Sequence, residues 1–385
     1  MRIAFEMPGG GTWQAGTSYF KTIIYALKHT YGEDVALYFL LPDTGVTQDM
    51  GEAGGKVLKI ATYREWSVPW VAEQGIKRLL TYDVGKTRVL KRHEIDVVFG
   101  LHLLHRYRRI PILSWIPDFQ HIHLPEMFNA VERRQRDRVF LHAAKVSSRT
   151  ILMSQSVKKD FEIFAPQYVG KARVLQAVCQ VPGSVFEADL KSVLNLYHLP
   201  EKFVYIPNQF WRHKNHEIAF QAVKTLKDRG VGVFVVCSGY PGDYRHPNYF
   251  ADLLQKISSW GIRDQVAILG MIPRNHMFIL MREAICVLNP SLFEGFGLTI
   301  DEARSLGKRV LLSDIPAHRE QNPPKATYFN PYNFEELAEK LSTLWRDVEP
   351  GPDTELELEA RQSLAGRIHA CAESFMSVVN DVIKG

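Results

Sequence analysis

The sequence predicts an α/β protein made of two doubly wound, parallel-sheet domains, and three observations predict it. Short continuous apolar runs alternate with helical patterns through both halves of the chain. The length, 385 residues, suits two domains better than one. A strand–loop–helix–strand unit near the end of the second half carries its glycines at the carboxyl end of its first strand, the edge where open α/β sheets bind ligands. Apolar residues make up 46% of the chain and charged residues 23%, enough of each for real cores under a solvated surface.

In the first half a strand is expected from Arg2 to Met7, then the loop Pro8-Gly9-Gly10-Gly11. Phe20, Ile23, Ile24 and Leu27 give residues 19 to 29 a helical period. Further strands are expected at Val35 to Leu41, Val97 to Phe99, Ile112 to Trp115 and Val146 to Met153. The second series has strands at 203–206, 233–236 and 266–270, with helices at 216–229, stopped by Gly230, and 250–260, stopped by Gly261. A strand at 327–329 follows, and then one or two terminal helices between Glu355 and Ile383. The stretch Gln180 to Pro200, with Pro182-Gly183-Ser184, reads as the junction. The expected organisation is two Rossmann-like domains, 1–182 and 183–353, facing a cleft, with residues 354–385 crossing back to the first.

No apolar run approaches the ~20 residues of a membrane span. Met1 to Phe5 enters a strand directly, so no signal peptide is expected. Four scattered cysteines form no CxxC or Cys/His pattern, which points to reduced thiols, a cytoplasmic setting and no zinc site. The net charge is +5, and residues 64–109 hold ten basic against five acidic residues, with Trp66, Trp70, Tyr82 and Tyr107 among them. A solvated helical surface explains this; so does a face that meets anionic lipid headgroups or a phosphate-bearing acceptor. No motif supports nucleic-acid recognition.

The most informative segment is residues 289–316. Glu294 and Glu302, seven residues between them, flank the turn Gly295-Phe296-Gly297. Glycines let the backbone approach a ligand, helix-start N–H groups suit an anion, and flanking acids can hold hydroxyls, a combination that describes a nucleotide-sugar. Thr299 and Glu302 also have the spacing of a capping box, in which Glu302 would only close the helix start. Asn208, Arg212 and Lys214 follow the strand at 203–206 and place cations where a diphosphate would lie; a basic helix start is the plainer reading, although the helix dipole disfavours it. The glycine loop at 8–16 is a weak dinucleotide fingerprint and a reasonable flexible ligand loop. After the strand at 112–115 come Asp118, His121, His123 and Glu126, better suited to hydrogen-bonding a polar substrate than to a metal.

Residues 290–320, PSLFEGFGLTIDEARSLGKRVLLSDIPAHRE, resemble the hallmark motif of the retaining glycosyltransferases of the GT-B fold, family 4 (glycosyl transferases group 1). The first half resembles the family more loosely, through its glycine loop and DFQHIHLPEMF. The resemblance implies that Glu302 holds ribose hydroxyls, that Glu294 contacts the donor sugar, and that the backbone of Phe296, Gly297 and Leu298 approaches sugar and phosphates. It implies that Lys214 binds the diphosphate, that His121 lies beside the transferring carbon, that Gly10 and Gly11 lie under the diphosphate, and that the Met271 backbone lies near the base, with Gly239 also among the donor-binding residues. Asn208 stands where the family has an arginine, so Arg212 is the candidate second cation. The implied activity moves a hexose or related sugar from a UDP- or GDP-sugar to a glycan or lipid-linked hydroxyl in surface polysaccharide synthesis, with no metal cofactor, at the inner face of the membrane. A GT-B epimerase, a phosphorylase and a non-catalytic nucleotide-sugar-binding partner are the alternatives.

Overall fold

The computed structural model describes residues 1–6, 14–42, 55–60 and 83–384. The chain forms two compact units: residues 1–119, 130–178 and 366–385 make the first, and residues 120–129 and 179–365 the second. The chain thus passes from the first unit to the second after Val178, where a division at 182/183 was expected, and returns to the first at Gly366.

The first unit is a seven-stranded parallel sheet: β1 (Arg2–Glu6), β2 (Ala36–Pro42), β3 (Lys56–Ile60), β4 (Val97–Leu101), β5 (Ile112–Trp115), β6 (Arg149–Leu152) and β7 (Ala172–Val174), in the order β3-β2-β1-β4-β5-β6-β7. Phe5 on β1 is level with Phe39 on β2 and Phe99 on β4. All three rings are fully buried, with Phe20 edge-on to Phe5 and Phe375 stacked on it at 6.1 Å. Strands covered on both faces read as unbroken apolar runs, which is why β1, β2, β4 and β5 were legible. β3 and β7 were not: Lys56 and Lys59 interrupt the first, and the second is three residues long at the sheet edge. The expected strand from Val146 is shorter: helix Ala130–Val146 runs up to it, and Ser154 beyond it caps the next helix by accepting from the Val157 N–H at 3.1 Å.

The second unit is a six-stranded parallel sheet: β8 (Val204–Ile206), β9 (Val235–Cys237), β10 (Val266–Ile268), β11 (Cys286–Asn289), β12 (Val310–Ser313) and β13 (Thr327–Phe329). Its order, β10-β9-β8-β11-β12-β13, reverses direction between β8 and β11. That reversal is the switch point of a doubly wound sheet, where the loops leaving two neighbouring strands diverge and open a crevice. The expected junction at 180–200 is helical instead. Val185, Val193 and Leu194, on helices Gly183–Glu187 and Leu190–Leu196, join the second core against Phe278 and Met281. The terminal segment is one helix, Thr354–Lys384, whose Asp381 accepts from both Arg149 and Arg173 in the first unit at 2.8 and 3.0 Å. Its last part, residues 366–384, belongs to that unit.

Candidate functional site

The second sheet's carboxyl edge collects the expected site residues because each follows a strand: Asn208 after β8, Gly239 after β9, Met271 after β10 and Glu294 after β11. Across the switch point the Asn208 amide donates to Asn289 Oδ1 at 3.2 Å and accepts from the Thr299 hydroxyl at 3.3 Å. Asn208 is buried and committed to this framework. Gly239 has a backbone reason to be glycine: at φ +140°, a Cβ would lie 2.5 Å from the Asn208 carbonyl oxygen.

Gly297 begins helix Leu298–Leu306 in a left-handed conformation, φ +88°. This overturns the capping-box reading. Gly297 is the N-cap, Thr299 turns to Asn208, and the Glu302 carboxylate points to Arg274 instead of to the helix start. Gln321 holds the turn from outside, donating to the carbonyls of Phe296 and Gly297, the latter at 2.9 Å. Phe296 is buried and Leu298 half-buried, so the turn is a rigid backbone cradle.

Arg212, His213 and Lys214 form a short 3₁₀ turn of their own, closed by Asn215 at φ +57° before helix His216–Asp228 begins. The cations therefore do not sit at a helix start, and the expected dipole mismatch does not arise. The Lys214 ammonium donates to Glu294 Oε1 at 2.6 Å, with the two side chains 20% and 11% exposed. The Ser291 hydroxyl lies 2.7 Å from the same carboxylate oxygen and 2.6 Å from Asn289 Oδ1. Arg212 is exposed on this turn; its backbone N–H donates to Asp243 at 3.0 Å.

The second acid also has a cation. Arg274 lies 2.8 Å from Glu302, but it is 47% exposed whereas Glu302 is 10% exposed. Burial pushes the Glu302 carboxyl up; Arg274 pulls it back only in part and neighbouring Asp301 adds to the rise, so the net shift is upward. Burial acts the same way on Glu294, but Lys214, with His318 and the Ser291 hydroxyl, outweighs it and holds that carboxyl below the ordinary glutamate range. His318, fully buried nearby, is depressed to about 4, first by burial.

His121 is buried, on the short helix Gln120–His123. Leu124, Met127 and Phe128 just beyond it pack with Leu292 and Phe293, the residues that lead into Glu294. His123 is exposed and stacks on Phe293 at 4.9 Å, Glu126 is exposed, and Asp118 pairs with Arg136 at 2.8 Å. These groups do not assemble into a ligand set, and among the described residues no cluster of three or more His, Cys, Asp or Glu side chains is placed to hold a metal. All four cysteines are buried, and none forms a disulfide. Gly10, Gly11 and residues 64–82 of the basic stretch lie outside the described residues. Among the described residues no helix is long and apolar enough to cross a membrane.

Sequence reasoning missed Arg274, Asp301, Ser291, Asn289, Gln321 and Arg245. Asn289 and Ser291 bracket a proline inside the motif and were within reach. Asp301, which accepts from the Cys179 backbone N–H at 2.6 Å, has a partner distant in the chain that no local pattern announces.

Residues 190–362 match the family model described as glycosyl transferases group 1. The O-antigen chain mannosyltransferase RfbU of Salmonella typhimurium is 25% identical over 191 residues, 47% of this chain and 50% of that protein; the match thus spans half the length of this curated relative. A glycosyltransferase from Rickettsia africae superposes with a TM-score of 0.70 at 15% identity, covering 100% of this chain and 99% of that one. Anabaena Alr3699/HepE, solved in complex with UDP and glucose, gives 0.65 at 16% identity, covering 100% and 98%. The structural likenesses show the GT-B fold, and the family match over residues 190–362 supports a group 1 glycosyltransferase.

Proposed function

We propose that the protein is a retaining glycosyltransferase that moves a hexose or related sugar from a UDP- or GDP-sugar to a hydroxyl of a glycan or lipid-linked saccharide, in surface polysaccharide synthesis. The observation that carries this reading is the switch-point site itself: two acids flank a glycine cradle, and one of them is locked to a lysine at 2.6 Å. The family match over residues 190–362 supports the class, and the name of RfbU supports a polysaccharide acceptor. HepE, solved with UDP and glucose bound, supports a nucleotide-sugar donor.

In this reading the bond between the sugar's anomeric carbon and the diphosphate oxygen breaks. A bond to the acceptor oxygen forms on the same face, and the acceptor proton passes to the departing diphosphate. Lys214 has three N–H donors, of which Glu294 takes one, leaving the others for the diphosphate. A cation fixed there stabilises the charge that grows on the leaving group more than the charge in the ground state. Arg212, on the same turn, is the proposed second cation, so that activity needs no divalent metal and survives chelator. Glu294 accepts hydroxyls of the donor sugar, Glu302 accepts the ribose hydroxyls, and the N–H groups that begin helix Leu298–Leu306 face the phosphates. Gly10, Gly11 and Met271 keep their proposed places around the diphosphate and base. His121 is proposed beside the transferring carbon. The basic stretch 64–109 is proposed to touch anionic lipid at the cytoplasmic face.

The test is a thermal-shift panel with UDP, GDP, ADP and dTDP and their sugars, followed by product analysis with oligosaccharide and lipid-linked acceptors. One nucleotide is expected to raise the melting temperature, because a ligand that binds only the native state stabilises it. Stabilisation by none, or sugar turnover without a glycoside product, would overturn the reading.

A further inference from the structure

Arg245 lies in the loop after β9, and its side chain is only 7% exposed. Its guanidinium carbon sits 4.3 Å from the centre of the Phe128 ring, 4.8 Å from Trp211 and 5.4 Å from Tyr244. Nη1 donates to Gln120 Oε1 at 3.3 Å, and the buried Asp243 carboxylate, 4.0 Å from Nε, balances the charge. Asp243 also accepts the backbone N–H groups of Arg212 and Arg245, each at 3.0 Å. A flat, always-charged guanidinium is the side chain suited to such a place, since it stacks on rings while donating in its own plane.

What Arg245 joins is specific. Gln120 and Phe128 lie on either side of His121 in the segment 120–129. Trp211 directly precedes the Arg212–Lys214 turn and accepts the Lys214 N–H at 2.8 Å. The Leu292 N–H donates to His213 at 2.8 Å, which extends the tie to the residues that lead into Glu294. One side chain therefore touches both the segment that bears His121 and the turn that bears Lys214. We infer that Arg245 is a positioning residue that fixes His121 relative to Lys214 and Glu294. It acts through those groups and does not itself touch the donor. This rests on the proposed roles of His121 and Lys214.

The experiment compares Arg245→Met, which keeps the aliphatic stem, with Arg245→Lys, His121→Ala and the Arg245→Met/His121→Ala pair. Donor kinetics, nucleoside-diphosphate affinity and amide hydrogen exchange are read on each. Arg245→Met is expected to lower kcat at least about tenfold, since small misplacements of reacting groups are costly, while nucleotide affinity stays within about twofold. Arg245→Lys is expected to recover little, because an ammonium cannot lie flat between rings. Exchange should quicken in 120–129 and not in 298–306, and the double variant should be no slower than the slower single one. Wild-type kcat in Arg245→Met, effects that simply multiply, or unchanged exchange in 120–129 would each overturn the inference. If His121→Ala alone keeps full turnover, the role given to His121 falls, and exchange in 120–129 alone decides whether Arg245 holds the segment. Should Arg245→Met unfold, Gln120→Met, which removes the guanidinium's acceptor, is read by the same criteria.

Discussion

Glu294 and Glu302 stand at the two ends of one turn, each shielded to about the same degree and each with a cation at 2.6 or 2.8 Å, yet their carboxyls shift in opposite directions. Distance does not separate them; surroundings do. Lys214 is largely enclosed and works through a medium of low effective permittivity, and Ser291 adds a hydrogen bond. Arg274 is nearly half exposed, so water screens its pull, and buried Asp301 pushes the other way. The lesson is that a pair of identical residues at fixed spacing is built as two different instruments. Glu294 is held charged beside the proposed diphosphate cation, and Glu302 is a more easily protonated acceptor.

The variant that should break this comparison most strongly is Lys214→Ala. It removes the proposed leaving-group cation and strands a buried carboxylate, so turnover should fall on the order of 10²–10³-fold, about the loss seen when one charge-stabilising group is deleted. Steady-state kinetics with the matched donor reads it, and a fully active variant would remove Lys214 from the mechanism. Next is Glu302→Ala. It should raise the nucleotide dissociation constant about 10-fold to 100-fold, as expected for losing one or two hydrogen bonds to a charged acceptor, with a folded protein by circular dichroism. Titration calorimetry with the nucleoside diphosphate distinguishes this from a fold defect.

A third prediction concerns acid. The folded carboxyl of Glu294 is depressed, so its contribution to stability is complete above the ordinary glutamate value and is lost as pH falls through the depressed one. Glu302 is raised, so the native state holds its proton longer, and stability declines as pH rises from the ordinary value through the raised one. Chemical denaturation from acid pH to neutrality should therefore show opposite changes in slope for Glu294→Gln and Glu302→Gln relative to the parent. Parallel profiles would mean the two sites are electrostatically alike. The smallest effect is expected for Arg274→Met. Its exposed guanidinium, discounted for solvent, should contribute no more than about 1 kcal/mol, so the melting temperature should shift by only a few degrees. A larger fall than that of Lys214→Met would invert the ranking of the two pairs.

Much of the second unit was legible because its strands are continuous apolar runs with glycine stops, and β8, β9, β10 and β13 came within two residues of their observed bounds. What escaped were short or lysine-broken edge strands and the helices at 183–196, whose apolar residues make sense only against Phe278 and Met281. The T-x-x-E pattern at Thr299 has the spacing of a capping box without being one, because Gly297, not Thr299, opens the helix; a left-handed glycine cap offers no side-chain hydrogen bond to read.

Chain order alone determined that Glu294, the glycine turn and Glu302 would share one strand-to-helix corner, since residues so near in sequence cannot stray far from each other. Folding decided the rest. Which cation each acid meets, that Asn208 is spent on Asn289 and Thr299, and that Arg245 reaches Gln120 from a loop 125 positions away depend on the order in which parallel strands assemble. Burial then sets how strongly each charge is felt, and burial is a property of everything packed around a residue, which no local stretch of sequence contains.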